Sequence, residues 1–150
     1  MAKHKDKDVK TNAMRILEQK KIPYTVHTYD CEEFMDGISM ADALGQPHEI
    51  VYKTLVTVAK SREHYVFVIP VEAELDLKKA ARAVHEKAVE MLPLKELTEL
   101  TGYVRGGCTC IGMKKQYPVV MDESARKLPK VLASGGRRGC QMEHSPLDLM

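Results

Sequence analysis

The sequence contains no apolar run near the ~18 residues that a membrane-spanning helix requires. Its N-terminal residues are charged and lack the apolar core of a secretory signal, so the expected location is cytoplasmic. A large net charge is missing too. Twenty-three Lys and Arg against 21 Asp and Glu leave only +2. Bulk charge therefore does not announce a nucleic-acid binder, and any anion-binding face must come from local segregation. Four cysteines in 150 residues are too few for a disulfide scaffold and read as free thiols. The chain also has no Walker motif, no dinucleotide fingerprint and no HExxH pattern.

What positive charge there is comes in clusters. Lys3, Lys5, Lys7 and Lys10 alternate with Asp6 and Asp8, which reads as a solvated, frayed tail over residues 1–10. Lys114 and Lys115 form a second group, and Arg137 and Arg138 a third. Residues 11–150 are enough for one domain with a buried core. No repeat or low-complexity linker divides them.

Apolar spacing predicts the elements. Thr11 suits the N-cap of a helix running to about Lys20, with Ala13, Ile16 and Leu17 on its inner face. Residues 24–29 read as extended and 30–37 as a loop. Ser39 suits the cap of a short helix that Gly45 ends. Residues 50–59 and 65–71 read as a hairpin around the polar link 60–64. Leu77, Ala80, Ala81 and Val84 have helical spacing, with Asp76 near the start, where a carboxylate suits the helix dipole. Residues 89–92 read as a short strand. Pro93 opens another helix, with Leu94, Leu97 and Leu100 inward and Gly102 as its stop. Residues 117–121 and 130–134 read as strands, and Ser145-Pro-Leu-Asp148 as the start of a last helix. Short strands mixed with helices predict a single α/β domain of the α+β type, a mixed sheet with helices packed on it.

Three segments carry candidate chemistry. In Gly102-Tyr-Val-Arg-Gly-Gly-Cys-Thr-Cys-Ile-Gly-Met-Lys-Lys115, glycines let a ligand approach the main chain beside positive charge. The segment is equally a glycine-rich turn with solvated lysines. Lys53 lies within a strand apolar on both faces, where an ammonium needs an anionic partner or a wet cleft. It either faces a substrate ester or phosphate, or snorkels to water. Ser134-Gly-Gly-Arg-Arg-Gly139 pairs a hydroxyl with open amides and two guanidiniums, whose planar fork suits phosphate; it is also readable as a surface loop. Tyr29 either faces the same cleft or is a buried structural residue. Cys108, Cys110, Cys140 and His144 have the types of a Cys₃His zinc site, but one residue separates the first pair where two to four are usual. A cysteine nucleophile would need a base beside it, and no spacing brings a histidine to Cys108. No metal or cofactor is expected.

Val51-Tyr-Lys-Thr-Leu-Val56, Leu75-Asp-Leu-Lys-Lys-Ala80, Thr101-Gly-Tyr-Val-Arg-Gly-Gly-Cys108, Ile111-Gly-Met-Lys-Lys115 and Ser134-Gly-Gly-Arg-Arg-Gly139 occur in the order seen in the YbaK/EbsC family. The chain resembles that family from about Thr11 onward, and the family resembles the editing domain inserted in bacterial prolyl-tRNA synthetases. The resemblance implies a mixed, largely antiparallel sheet curled around a cleft, with flanking helices. It also implies a free-standing deacylase of mischarged tRNA, most often Cys-tRNA(Pro) and in some members Cys-tRNA(Cys). Its partners would be the tRNA acceptor end and prolyl-tRNA synthetase. The family's mechanism is substrate-assisted: the substrate's own thiol attacks its ester carbonyl and leaves as a cyclic thiolactone. The resemblance makes Lys53 the essential cation, Gly106 the pocket backbone, Ser134 the serine of the second turn and Tyr29 the tyrosine at the mouth. Thr54, Gly107, Cys108, Gly135, Gly136, Arg137 and Gln141 complete the implied substrate-binding set.

The chain departs from the family at several places. Thr109 and Cys110 stand where many members have Ser-Pro, losing proline's fixed φ. Gln141 stands where some members have an aspartate, so an amide that can still hydrogen-bond replaces a charge. The loop 30–37 differs, and the C-terminal helix is short. These differences touch substrate choice. Ala-tRNA(Pro) or another small aminoacyl ester is an alternative substrate, and a non-catalytic module that binds an acceptor end or a synthetase is the alternative from another class.

Overall fold

Thr11 has extended backbone, and its hydroxyl accepts a hydrogen bond from the Met14 N–H at 3.2 Å. This satisfies one of the amides that a helix start leaves open. The helix it caps, α1 (Asn12–Gln19), buries Ala13, Met14 and Leu17. The computed structural model describes residues 10–29 and 36–145. Most of the expected tail, most of the loop 30–37 and nearly all of the expected last helix lie outside these residues.

The elements that follow are β1 (Thr25–Thr28), α2 (Gly37–Leu44), a 3₁₀ turn (His48–Ile50), β2 (Tyr52–Ala59), β3 (His64–Pro70), α3 (Leu77–Ala83), β4 (Val89–Met91), α4 (Leu94–Thr101), β5 (Val119–Met121), a second 3₁₀ turn (Glu123–Lys127), β6 (Val131–Ser134) and β7 (Cys140–His144). They form two sheets, ordered β1-β7-β6 and β4-β2-β3-β5. Every pairing is antiparallel except β3 with β5. A parallel bridge between Val51 and Leu132 joins the sheets. The mixed, largely antiparallel pattern expected from the sequence is present, divided between these sheets.

The expected hairpin forms with Lys53 opposite Ile69 and Val56 opposite Val66. The helix stops at Gly45 and Gly102 also stand where the sequence puts them. Other expectations need correction. Asp36, not Ser39, caps α2: its carboxylate accepts from the Ser39 N–H at 2.7 Å and from the Ser39 hydroxyl at 3.2 Å. Asp and Ser are both good caps, and the helix begins three residues early because the carboxylate satisfies the amides more strongly. Leu94 is 56% exposed. Only Leu97 and Leu100 of that trio pack inward, on Val56, Val66 and Tyr103, because Leu94 opens the first turn before the helix meets the sheet. The first strand is shorter than 24–29. Met14 is a buried residue that the spacing did not single out.

The strand β7 has no counterpart in the sequence reading. It lies between β1 and β6. Cys140 and Met142 pack on Ala13, Met14 and Leu17 of α1, while Gln141 alternates to the other face. Cys-Gln-Met-Glu-His has the right period but little β-branched content, so only its two neighbours make it a strand.

Two glycine-rich turns meet main chain to main chain. A Cβ placed on Gly107 would lie 2.8 Å from the Arg137 Cα and 2.9 Å from the Arg138 nitrogen. Arg138 Nε also donates to the Arg105 carbonyl at 2.7 Å. His48 sits between Glu72, bonded through Nδ1, and Asp42, 2.7 Å from Nε2. Donation from both ring nitrogens requires the imidazolium. The two carboxylates, Asp42 first, hold the histidine's pKa above its ordinary 6.5.

Two outcomes follow. Gly107→Ala is expected to cost about 1–3 kcal/mol, because backbone must move to admit the methyl; a urea midpoint equal to wild type would mean the turns are not in contact. His48 has a raised folded pKa, so its contribution is complete below the unfolded value near 6.5 and fades as pH rises through the folded value. The melting temperature of His48→Gln should therefore fall furthest below wild type near about pH 6 and converge with it by about pH 9. A gap that widens with pH would refute this.

Candidate functional site

A cavity of about 480 Å³ opens where the start of β2 and the end of β3 face the first glycine segment, the start of α2 and the β6–β7 pair. Each sheet and both glycine turns are needed to build it. The segments Val51-Tyr-Lys53 and Val71-Glu72 come together because the Val71 N–H donates to the Val51 carbonyl at 2.9 Å. The α2 start closes against them: a Cβ on Gly37 would lie 2.5 Å from Val71 Cγ1.

Lys53, Thr54, Tyr29, Gly106, Cys108, Ser134 and Gln141 all line this cavity. Gly107, Gly135, Gly136 and Arg137 do not. Gly107 is occupied by its contact with Arg137, and the other three form the turn after Ser134. Lys53 is half-buried on β2, and among the described residues its ammonium has no hydrogen-bond or ion-pair partner. Ser134 is buried; its Oγ accepts from the Gly136 N–H at 3.2 Å, which leaves the hydroxyl proton to donate elsewhere.

Gln141 stands opposite Ser134 in the β6–β7 register. It is 3% exposed, and its Oε1 is buried without a hydrogen-bond partner. An unpaired buried acceptor costs about 1–3 kcal/mol, so a ligand that donates to it recovers that penalty. Tyr29 is fixed at the rim by its N–H, which donates to the Gly139 carbonyl at 3.0 Å. The cavity thus presents a cation, a hydroxyl donor, an open acceptor and flexible backbone together.

Among the described residues Cys108 is the one thiol that lines the cavity. Burial pushes the Cys108 thiol up to about 12, although Thr101 opposes the shift. No histidine lines the cavity among the described residues. A thiol so far above neutral pH has almost no thiolate. Asp36 is held below the ordinary carboxylate range by the Ser39 N–H, which it caps, and Glu72 is engaged by His48. The cysteines do not gather with His144. Cys108 and Cys110 share one apolar cluster, whereas Cys140 packs under α1. Among the described residues no three His, Cys, Asp or Glu side chains are grouped to hold a metal, and Cys108, Cys110 and Cys140 are unbridged. No helix of the described residues is long and apolar enough to cross a membrane.

Sequence reasoning missed Asp36, Glu72, Glu74 and Arg105 at the rim and Tyr52 in the wall. Asp36 was within reach as an Asp-x-x-Ser cap. Glu72 and Glu74 follow β3 in an unpatterned link, so only the tertiary contact reveals them.

A family model for the aminoacyl-tRNA editing domain matches residues 31–150, a span that begins after α1 and β1. A protein of Enterococcus faecalis strain ATCC 700802/V583, EbsC, is 47% identical over 147 residues, covering 97% of this chain and 89% of that protein. Its name proposes it as a Cys-tRNA(Pro)/Cys-tRNA(Cys) deacylase. The crystal structure of a protein proposed as a trans-editing enzyme for prolyl-tRNA synthetase is 27% identical, with a TM-score of 0.80, and the match covers 95% of this chain and 91% of that one. A hypothetical protein, APE2540, at 22% identity shares the fold with a TM-score of 0.83 over 93% of this chain and 91% of its own. With four-fifths of the chain inside the family model and close to half of its residues shared with EbsC, the protein belongs to the aminoacyl-tRNA editing domain family.

Proposed function

We propose that the protein is a deacylase that removes cysteine from mischarged Cys-tRNA(Pro), and also from Cys-tRNA(Cys), with residues 11–150 acting as one editing domain. The observation that carries this reading is a cavity whose described residues are rich in binding groups but poor in nucleophiles. Lys53, Gly106, Ser134 and Gln141 share it, while Cys108, the one lining thiol among the described residues, is held near 12. Such a site suits a substrate that brings its own nucleophile.

The chemistry is intramolecular. The substrate cysteine has a thiol pKa near 8.5, so a few per cent is thiolate at neutral pH. That sulfur attacks the ester carbonyl carbon, the C–S bond forms and the C–O bond to the terminal ribose breaks. The ribose oxygen takes up a proton, equal to the one that the thiol lost, and a cyclic thiolactone leaves. The protein folds the aminoacyl group into attack geometry and stabilises the oxyanion. Lys53 is placed by this reading at the developing charge or the terminal phosphate. The Ser134 hydroxyl donates to the carbonyl region, and Gln141 Oε1 accepts from the substrate's ammonium. Gly106 permits close approach of the ribose.

Editing is needed because a pocket separates near-isosteric amino acids by only ~1–3 kcal/mol. The net charge of +2 gives little long-range pull on a polyanion. Delivery of the tRNA by prolyl-tRNA synthetase therefore belongs to the proposal, in keeping with the name of the structurally similar trans-editing protein.

The decisive assay follows ester loss from labelled Cys-tRNA(Pro). Lys53→Ala should lose about 10²–10³-fold in kcat/KM, the usual cost of one preorganised electrostatic group. Equal rates for variant and wild type would remove Lys53 from the site. Ser-tRNA(Pro), with a hydroxyl in place of the thiol, should be cleaved at the Lys53→Ala background; rapid cleavage would rule out attack by the substrate's own thiol.

A further inference from the structure

The first turn of α1 touches both glycine-rich segments, although it contributes nothing to the cavity wall. Thr11 Oγ accepts from the Met14 N–H at 3.2 Å and donates to the Gly135 carbonyl at 2.5 Å. It also packs on the next residue: a Cβ on Gly136, where φ is +104°, would lie 3.1 Å from the Thr11 Cβ. Gly136 is the residue whose N–H donates to Ser134 Oγ at 3.2 Å. Asn12 Nδ2 reaches the Gly112 carbonyl in the first segment at 3.2 Å. The helix itself cannot shift, because Ala13, Met14 and Leu17 are packed on Cys140 and Met142 of β7, the strand that carries Gln141.

We propose that Thr11 is a positioning residue for ester cleavage: its hydroxyl fastens the Ser134–Gly136 turn to α1 and so aims the Ser134 hydroxyl into the cavity. This rests on the deacylase reading above. A hydroxyl suits the task because it donates and accepts at once. One lone pair caps the helix while the proton holds the Gly135 carbonyl. With that carbonyl held, and Gly135 N–H donating to the Cys140 carbonyl at 2.9 Å, both polar backbone groups of Gly135 are tied down. The Gly136 N–H then stays on Ser134 Oγ, and the serine proton points away from it. Release of the carbonyl frees the turn and, with it, the direction of the serine proton. Small misplacements of this kind cost rate more than binding.

The two roles of the hydroxyl separate by substitution. Thr11→Ser keeps acceptor and donor. Thr11→Asp keeps an N-cap as good as threonine but has no proton to donate at neutral pH. With Cys-tRNA(Pro), kcat should fall about 10-fold in Thr11→Asp with KM within about twofold of wild type, and Thr11→Ser should match wild type. Amide hydrogen exchange gives a readout independent of activity. Gly136 should exchange faster in Thr11→Asp but not in Thr11→Ser, while Leu17 and the rest of α1 stay protected in both. The proposal is overturned if the Asp and Ser variants behave alike, or if Thr11→Asp loses protection throughout α1. An inactive wild type would sink the deacylase reading alone, since the contrast in Gly136 exchange still decides whether the hydroxyl holds the turn.

Discussion

Where Gly107 meets Arg137, two stretches of main chain approach more closely than any side chain allows. One stretch follows α4, and the other joins β6 to β7. Their contact sets the distance between Gly106 on one turn and Ser134 at the base of the other. The cavity has its shape because these turns cannot separate without giving up that packing and the bond from Arg138 to the Arg105 carbonyl. The sheets on either side are also joined by the Val51–Leu132 bridge and by the packing of Tyr52 and Val68 on Val131.

On this frame the electrostatic arrangement is economical. Among the described residues the Lys53 ammonium on β2 is unpaired, the Ser134 hydroxyl accepts one bond and keeps its proton free, and the Gln141 amide oxygen is buried without a donor. Among the described residues none of these groups is fully satisfied, and in the proposed reaction each would meet a counterpart on the aminoacyl ester: anionic oxygen, carbonyl and ammonium. Cys108, the lining thiol among the described residues, is kept protonated at neutral pH by burial. Such a lining suits the proposed reaction, in which the nucleophile is the substrate's own thiol.

Much of the fold was legible because local rules and tertiary packing agree. The β2–β3 hairpin, the helix stops at Gly45 and Gly102, and the Thr11 cap all follow from residue types at their own positions. The errors fall where local signals were close to equal. Asp36 and Ser39 are both good caps, and which one leads depends on where the chain turns beside Val71. Leu94 has the right spacing to face inward, but the helix starts before the sheet can cover it. The strand β7 has a weak local signature and is made a strand by pairing on both sides. In the site, Lys53, Gly106 and Ser134 were conspicuous as a cation in an apolar strand and as members of glycine-rich turns. Glu72 was not, because nothing in its neighbours marks it; Asp36 was marked only as an Asp-x-x-Ser cap and Arg105 only as a member of the first glycine segment, and neither signal says that the residue lines the cavity.

The amino-acid order alone determined that the chain would be a small mixed domain, that two segments could admit a close backbone approach, and that one lysine would be costly to bury. Those properties depend on residues a few positions apart. It also carried an ordered set of motifs sufficient to suggest the family. Only the tertiary structure decided that the lysine, the serine and the glutamine share a cavity, that four residues of the glycine turns serve the turns rather than the cavity, and that α1 grips both turns. These facts depend on contacts between residues as much as 124 positions apart, and such contacts arise from the packing of the whole chain, which no local window of sequence contains.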